Sequence, residues 1–231
     1  MLRKKISNLF NVKISRGYLY FILKKNNIVR LKVNYNKYPH NDKKFNEAKN
    51  KLKKELQNVN KNVISIDETS VDISIASNYG FAKKGTKCVI NKIFKRKRFT
   101  VIMAMTKRKI LDYKIVPNSS NGETFMSFIK EQIVPKTKKA LFMDNARIHH
   151  YKKFTSYVNS IKRKVIYNVP YTPIYNPIEY VFNNLKMYLR QHTFNNINQL
   201  DELLRKFKAN TNIKGVNNHY NKSICNLFGD D

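Results

Sequence analysis

The strongest constraint on the fold is a change of pattern at residue 61, where a polar and basic segment gives way to short apolar runs. Such runs, rich in β-branched and aromatic residues, are typical of buried strands. The runs predicted as strands cover residues 63–66, 88–93, 99–105 and 110–116. Because the last three follow one another closely, they predict an antiparallel meander whose exposed turn carries the basic residues 95–98.

Farther along the chain, helical and strand spacings of apolar residues alternate. Residues 125–133 carry apolar side chains at helical spacing. They are followed by a predicted strand at 140–143, a helix at 152–161 and a strand at 165–169. Strands separated by helices are joined by parallel crossovers. The chain is therefore predicted to be of the α/β class, with a mixed five-stranded sheet flanked by helices.

Two segments precede this main domain, which is predicted to span residues 61–231. The first 25 residues indicate two short helices joined by a turn, with Ser15 placed to cap the second helix. We interpret residues 1–38 as a partial helix-turn-helix segment that binds DNA, although an ordinary helical hairpin has the same pattern. Residues 39–60 are polar and positively charged, and they predict a basic linker helix.

The chain is strongly basic, with 46 lysine and arginine residues against 15 acidic ones and a net charge of +31. An excess of this size favours a polyanionic partner, and double-stranded DNA is the leading candidate. Coding bias in an A/T-rich genome is the alternative explanation for the abundant lysine. The residues predicted to contact DNA are Arg16, Lys24, Lys25, Lys95, Arg96, Lys97 and Arg98.

Other sequence features exclude several classes of protein. Cys88 and Cys225 lie far apart and have no companion at metal-ligand spacing, so neither a disulfide framework nor a zinc site is predicted. No apolar run reaches membrane-spanning length, and no apolar stretch typical of a secretory signal follows the basic start. We expect an intracellular protein without a membrane partner, in the nucleus of a eukaryote or otherwise in the cytoplasm or nucleoid.

Three acidic residues are placed to meet at one end of the predicted sheet. Asp67 follows the first strand, Asp144 follows a later strand, and Glu179 lies at the start of a helix. Asn176 and Pro177 are suited to the N-cap and first turn of that helix. Three converging carboxylates repel one another unless a cation neutralises them, and oxygen-only ligands suit Mg²⁺ or Mn²⁺. Taken singly, each acid has a structural alternative, as a turn residue or a helix-capping residue.

Four segments resemble, in this order, the catalytic domain of mariner-superfamily DDE transposases and their bacterial insertion-sequence relatives. The segments are ISIDETS, YGFAKKG, MDNARIHH and VPYTPIYNPIEYVFNNLK. They lie within residues 61–192, and NPIEYVFNNLK is the most specific of the matches. The 34 residues between Asp144 and Glu179 are a spacing typical of one branch of that superfamily.

The resemblance implies a ribonuclease H-like fold, in which Asp67, Asp144 and Glu179 are the catalytic acids and hold two Mg²⁺ or Mn²⁺ ions. It also implies a function, which is to cut and join the DNA ends of a mobile element as a homodimer. One alternative is a domesticated or truncated remnant that binds DNA without transposing, because only 66 residues precede Asp67 where relatives carry longer paired DNA-binding modules. Another nuclease built on the same fold is a further alternative.

The resemblance extends to residues beside the three acids. Glu68, Asn145 and His149 match neighbouring positions of the family, where they have no settled role. The matching residues of the loop before Glu179, which the resemblance assigns to the support of that acid, are Tyr171, Pro173, Asn176 and Pro177.

Overall fold

The structure is a computed structural model, and it describes residues 2–28, 43–75, 97–211 and 213–229. The chain divides into two compact units, Met1–Pro39 and His40–Asp231. The smaller unit holds two helices, and the larger unit holds a sheet with the helices that cover it. Within the described ranges, no helix combines the length and the apolar character needed to cross a membrane.

The smaller unit contains α1 (Leu2–Phe10) and α2 (Arg16–Lys25), as the sequence predicts. Ser15 begins the second helix, because its hydroxyl accepts a hydrogen bond from the backbone N–H of Tyr18 at 3.0 Å. This contact satisfies one of the N–H groups that a helix start leaves without an intrahelical partner.

A mixed five-stranded sheet forms the centre of the larger unit, as the sequence predicts. Its strands are β1 (Val63–Asp72), β2 (Arg98–Met105), β3 (Ile110–Pro117), β4 (Ala140–Met143) and β5 (Val165–Tyr167). The strand order is β3-β2-β1-β4-β5. β1, β2 and β3 pair antiparallel, whereas β4 and β5 extend the sheet in parallel on the other side of β1. The parallel strands are entered through helical crossovers, which such connections require.

β1 is longer than the predicted run of residues 63–66. It pairs with β2 over eight positions, from Ser65 to Asp72, whereas its pairing with β4 ends at Ser65. The hydrogen bonds to β2 keep the chain extended after the pairing with β4 has stopped. Asp67 therefore lies inside a strand, which corrects the expectation that it follows the end of one.

Helices cover both faces of the sheet. They are α3 (Lys43–Gln57), α4 (Gly122–Phe128), α5 (Lys152–Ser160), α6 (Ile178–Arg190), α7 (Ile197–Asn210) and α8 (Ile213–Phe228), with a π turn at Ile129–Ile133 after α4. One apolar core joins the sheet to α3, α6, α7 and α8, and a second core joins it to α4 and α5. Side chains alternate along β1, so Val63 and Val71 belong to the first core while Ile64 and Ile66 belong to the second.

α3 differs from the basic linker helix predicted for residues 39–60. Leu52 and Leu56 are only 2% and 0% exposed, and both belong to the first core. Residues four positions apart share one face of a helix, so this pair packs α3 into the core of the larger unit. The exposed lysines of the helix are Lys43, Lys44, Lys51 and Lys54. Burying each leucine contributes about 1.5–3 kcal/mol. We predicted a linker because most residues of the segment are charged or polar, and this composition gave little weight to the two leucines.

Part of the predicted meander lies outside the described residues. The predicted strand at 88–93 and two residues of the basic turn, Lys95 and Arg96, belong to that part of the chain. Lys97 and Arg98 are both exposed, and Arg98 is the first residue of β2 instead of a turn residue.

Candidate active site

The sheet places Asp67, within β1, at the same level as Asp144, which directly follows the neighbouring strand β4. β1 and β4 run parallel, with Ser65 paired to Phe142. Each acid lies two residues farther along its own chain segment, so both acids follow that pair by the same number of residues. Side chains two residues apart in a strand point to the same face, so Asp67 projects from the face that carries Val63.

Glu179 approaches this level from the first turn of α6. Ile178 and Val181 of this helix are buried in the first core, on the same face of the sheet. The N-cap residue of α6 is Pro177, which makes no side-chain capping hydrogen bond. Asn176, which the sequence indicated as the cap, instead directs its amide toward β1. The expectation of an asparagine cap is therefore wrong, because its side chain has buried partners in the sheet.

The structure brings the three acids together on one open cavity of about 630 Å³. Its walls come from the segment after β4, the loop after β5 and the start of α6. The other lining residues are Asn145, Ala146, Arg147, Asn168, Val169, Pro170, Tyr171, Thr172, Pro173 and Asn176. Arg147 supplies a cation that our sequence reasoning missed. Its signal was its place three residues after Asp144, within the MDNARIHH segment.

Asn176 connects the first acid to the sheet. This residue is 1% exposed, its amide nitrogen donates to Oδ2 of Asp67 at 2.9 Å, and its amide oxygen accepts from the Ser65 hydroxyl. Because the hydroxyl occupies the oxygen end of the amide, the nitrogen end must face Asp67. The second oxygen of Asp67 accepts from the backbone N–H of Glu68 at 2.7 Å. Both oxygens of Asp67 are therefore oriented by protein donors.

His149 connects Asp144 to Glu68. It lies in the 3-10 turn Arg147–His150, is fully buried, and has its ring centre 4.4 Å from that of Phe125. Nδ1 of His149 lies 2.7 Å from Oδ1 of Asp144, and Nε2 lies 3.1 Å from Oε2 of Glu68. Burial lowers the pKa of His149, but the two carboxylates outweigh burial and raise the pKa to about 10. The ring is therefore an imidazolium that donates to both acids.

Asp144 differs from the other two acids because its pKa is lowered instead of raised. Burial acts to raise its pKa, but hydrogen bonds from His149 and from the backbone N–H of Ala146 at 2.9 Å outweigh burial, so the pKa is lowered. Asp144 is therefore negatively charged at neutral pH.

The charge of Asp144 acts on the other two carboxyl groups. The pKa of Asp67 lies well above its usual value, and burial is the largest cause of this rise. The charges of Asp144, Glu68 and Glu179 act in the same direction, while a backbone hydrogen bond opposes them. Burial also raises the pKa of Glu179, with Lys186 opposing this rise and Asp144 reinforcing it. Nearby protein groups therefore leave the negative charge of the cavity incompletely balanced.

The donors of the cavity suit a hard divalent cation. The acids that line it offer carboxylate oxygens, which Mg²⁺ and Mn²⁺ prefer, and a cation would supply the missing positive charge. Among the residues that the structure describes, no three acidic, histidine or cysteine side chains are close enough to hold one ion together. Asp67, Asp144 and Glu179 thus share the cavity without meeting at one point, and Asn176 and His149 hold two of them by hydrogen bonds.

The basic residues predicted to contact DNA are divided between the two units and the part of the chain outside the described ranges. Three of them are exposed on α2 of the smaller unit, namely Arg16, Lys24 and Lys25. Lys97 and Arg98 belong to the larger unit and do not line the cavity, while Lys95 and Arg96 lie outside the described ranges.

Comparisons with known proteins add independent findings. A family model described as DDE superfamily endonuclease matches residues 62–201, which is more than half of the chain. No curated protein sequence matches the chain. Solved structures of Mos1 transposase are similar in fold, at 12% sequence identity. The paired-end complex with the left transposon end has a TM-score of 0.76 and covers 99% of this chain and 72% of that chain.

Two further structures agree with this similarity. The Mos1 strand transfer complex has a TM-score of 0.79 at 12% identity, over 99% of this chain and 72% of that chain. The catalytic domain of Mos1 mariner transposase has a TM-score of 0.64 at 12% identity, over 84% of this chain and 95% of that chain. At this identity the structures establish the fold, which is the ribonuclease H-like fold implied by the motifs.

The family match covers the part of the chain that forms the cavity. It begins one residue before β1 and includes Asp67, Asp144 and Glu179. The resemblance predicted from the four sequence segments is thereby confirmed. From its motifs, its sheet and the extent of the family match, the chain belongs to the DDE superfamily of endonucleases and has the fold of a mariner transposase.

Proposed function

We propose that the protein is a transposase-type DNA endonuclease and strand transferase that uses two Mg²⁺ or Mn²⁺ ions held by Asp67, Asp144 and Glu179. The observation that carries the proposal is that these three acids, from separate elements of the fold, line one cavity. Membership of an endonuclease family makes a phosphodiester the substrate, and the net charge of +31 suits DNA. Mos1 structures with Mg, with Mn and in a strand transfer complex support the choice of metal and of reaction.

The surrounding residues position the acids for this reaction. Asn176 orients Asp67, and His149 orients Asp144. The chemistry that two such ions supply when bound is activation of an attacking hydroxyl and stabilisation of the leaving oxygen. The attacking group is a water molecule when DNA is cut and a 3′-hydroxyl when DNA ends are joined.

Residues at the rim of the cavity offer contacts to a DNA strand. Arg147 is exposed there, and a guanidinium can bind a phosphate through two parallel hydrogen bonds. Tyr171 is 67% exposed on the loop before α6, where its φ of 59° is unusual for a non-glycine residue. An exposed aromatic ring provides a stacking surface for an unpaired base. We propose that these two side chains hold the DNA strand over the three acids.

Nicking of supercoiled plasmid DNA in Mg²⁺ or Mn²⁺ tests the proposal. The substitutions Asp67→Asn, Asp144→Asn and Glu179→Gln should each reduce the rate by at least about a hundredfold, the scale for loss of one group that stabilises transition-state charge. Glu202→Gln is the matched control, because Glu202 is an exposed carboxylate on α7 and its loss should leave the rate unchanged. Calorimetric titration with Mn²⁺ gives a second measurement, in which the three variants should bind more weakly than the control.

Two results would contradict the proposal. Nicking that continues at full rate in excess EDTA would remove the metal site. Tight DNA binding by the unaltered protein, without nicking in either metal, would identify it as the DNA-binding remnant that the sequence left open.

We extend the proposal to the oligomeric state of the protein and to the roles of two segments of the chain. We infer a homodimer that holds the ends of an element and joins them to target DNA, with residues 1–38 as a partial DNA-binding segment and residues 61–231 as the catalytic domain. The described sheet and its acids lie within that domain, which supports the assignment. Light scattering on the protein with a duplex that carries both terminal repeats should give two chains per complex, and one chain at every concentration would oppose it.

A further inference from the structure

A second and larger groove lies at the opposite end of the sheet from the three acids. It has a volume of about 1450 Å³, and its walls come from the β2–β3 turn, the 3-10 turn Val134–Lys136 and α7. An adjoining cavity of about 600 Å³ shares Thr106, Arg108 and Lys139 with it. We refer to the two together as the basic groove.

The topology separates the basic groove from the catalytic cavity. β2 runs antiparallel to β1, so the β2–β3 turn lies at the end of the sheet where β1 begins. Lys139 immediately precedes β4, whereas Asp144 follows it. Five residues of extended chain span roughly 16 Å, so a ligand in the groove is distant from the acids.

Cationic side chains are enriched in the basic groove. They are Lys61, Lys107, Arg108, Lys109, Lys136, Lys139, Arg205 and Lys208, and the acids beside them are Asp112 and Asp201. Cations are thus eight of the 23 lining residues, compared with 46 of 231 residues in the whole chain. Eight cations against two acids give the groove a net positive charge.

Both acids of the groove already have cationic partners. Asp112 contacts the ammonium groups of Lys136 and Lys208, the latter at 3.1 Å. Asp201 contacts the guanidinium of Arg205 at 2.6 Å. These contacts lower the pKa of Asp112 despite its partial burial, so the carboxylate is charged and its charge is balanced.

The groove contains five other cations. Within the ranges that the structure describes, no acidic side chain pairs with Lys61, Lys107, Arg108, Lys109 or Lys139. Five positive charges therefore face an open groove without a described acidic partner, and that of Lys61 also lies 4.1 Å from the centre of the Phe228 ring.

Hydrogen bonds hold the backbone beneath these cations. Arg163 donates to the carbonyl oxygen of Lys139 at 3.0 Å. In the β2–β3 turn, the backbone N–H groups of Arg108 and Lys109 both donate to the Thr106 hydroxyl at 3.3 Å. A backbone fixed before binding reduces the entropy that binding must lose.

We propose that the basic groove is a second DNA-binding surface, which holds the phosphate backbone of a duplex segment away from the catalytic cavity. Unpaired cations on a fixed backbone match phosphates and provide affinity without reading sequence. The choice of DNA among polyanions rests on the proposed function, because DNA that is cut at the acids continues well beyond them. The groove then holds a part of that duplex distant from the cut site, or a part of a second duplex.

Fluorescence anisotropy of a labelled random-sequence duplex, measured in EDTA to prevent cleavage, tests this surface. The groove variant Arg108→Gln/Lys139→Gln is compared with Lys130→Gln/Lys153→Gln, which removes the same charge from exposed positions outside the groove. Each lost phosphate contact lowers the slope of log affinity against log salt by about 0.9, so the groove variant should lose about 1.8 in slope and up to about 60-fold in affinity near 0.1 M salt. The control variant should lose less than about a third of that slope.

Further measurements separate the outcomes. Lys107→Gln/Lys109→Gln, on the exposed turn, is a second groove variant and should show the same loss of DNA affinity. It replaces Arg108→Gln/Lys139→Gln if that variant folds poorly. Equal losses in the groove and control variants would overturn the proposal, as would a loss confined to double-stranded RNA of the same length. Nicking of a short oligonucleotide that cannot reach the groove should proceed at the normal rate in the groove variants. An error in the catalytic assignment would therefore appear in the nicking assay, whereas an error in the assignment of the groove would appear in the anisotropy measurement.

Discussion

The buried imidazolium of His149 makes a testable contribution to stability, because it joins Asp144 to Glu68. We predict that His149→Gln destabilises the metal-free protein strongly at pH 7 and only weakly at about pH 10.5. Glutamine keeps a hydrogen-bonding side chain but removes the positive charge, which leaves two carboxylates facing a neutral group. The loss should therefore follow the protonation of the histidine.

The sign and size follow from the pKa of His149, which is raised from its ordinary 6.5 to about 10. Below pH 6.5 the folded and unfolded states both hold the proton, and the stabilisation is fully present. Between 6.5 and 10 only the folded state holds it, so stability declines as the pH rises. At 1.36 kcal/mol per pKa unit the upper limit is about 5 kcal/mol. Since breaking a buried ion pair costs about 3–5 kcal/mol, we expect about 3 kcal/mol at pH 7 and under about 1 kcal/mol at pH 10.5.

Urea unfolding in EDTA, followed by far-ultraviolet circular dichroism between pH 7 and about 10.5, measures this difference. Circular dichroism suits the chain because it has no tryptophan. His150→Gln is the matched control, since it removes the imidazole next along the chain, which is exposed and contacts Asn145 and the Tyr167 ring, and it should cost about 1 kcal/mol. A destabilisation by His149→Gln that stays constant with pH would refute a protonated His149 in the folded state.

Two further substitutions test the support of the site and the extent of the domain. Asn176→Ala removes the hydrogen bonds to Asp67 and Ser65, so it should lower the free energy of unfolding by about 1–3 kcal/mol and weaken Mn²⁺ binding in calorimetry. An unchanged Mn²⁺ affinity would contradict a positioning role for Asn176. Leu56→Ala should lower the free energy of unfolding in urea by about 2–5 kcal/mol, because α3 packs in the core. The exposed control Lys54→Ala should lower it by about 0.5 kcal/mol or less, and equal effects of the two substitutions would restore the linker interpretation.

Much of the fold could be predicted because apolar spacing reports directly which face of an element is buried. The predicted strand at 140–143 coincides with β4, and the predicted helix at 152–161 differs from α5 by one residue. The full length of β1 could not be predicted in this way. Its second half contains the polar sequence Asp67 to Ser70, and pairing with β2 keeps these residues extended. Such pairing is a tertiary effect that a local pattern does not contain.

The acids of the cavity could be singled out from the sequence, but their support could not. Asp67 and Asp144 each follow or continue an apolar run, which is a local signal. The amide of Asn176 reaches Asp67 across 109 residues of sequence, and the ring of His149 reaches Glu68 across 81. Locally, an asparagine before a proline indicates a helix cap, and only the assembled sheet shows the other use of its amide.

The adjacency of Asp67 and Glu68 in β1 restricts how the length of this chain can change. Successive residues of a strand point to opposite faces, so these two acids lie on different sides of the sheet. Deletion of a single residue earlier in β1 would exchange the faces of the two acids and turn Asp67 away from the cavity. Between Asp144 and Glu179 the chain passes through α5 and an exposed turn at Ile161 and Lys162, where added residues can bulge into solvent. Insertions should therefore be tolerated in that turn and be fatal to activity in the first half of β1.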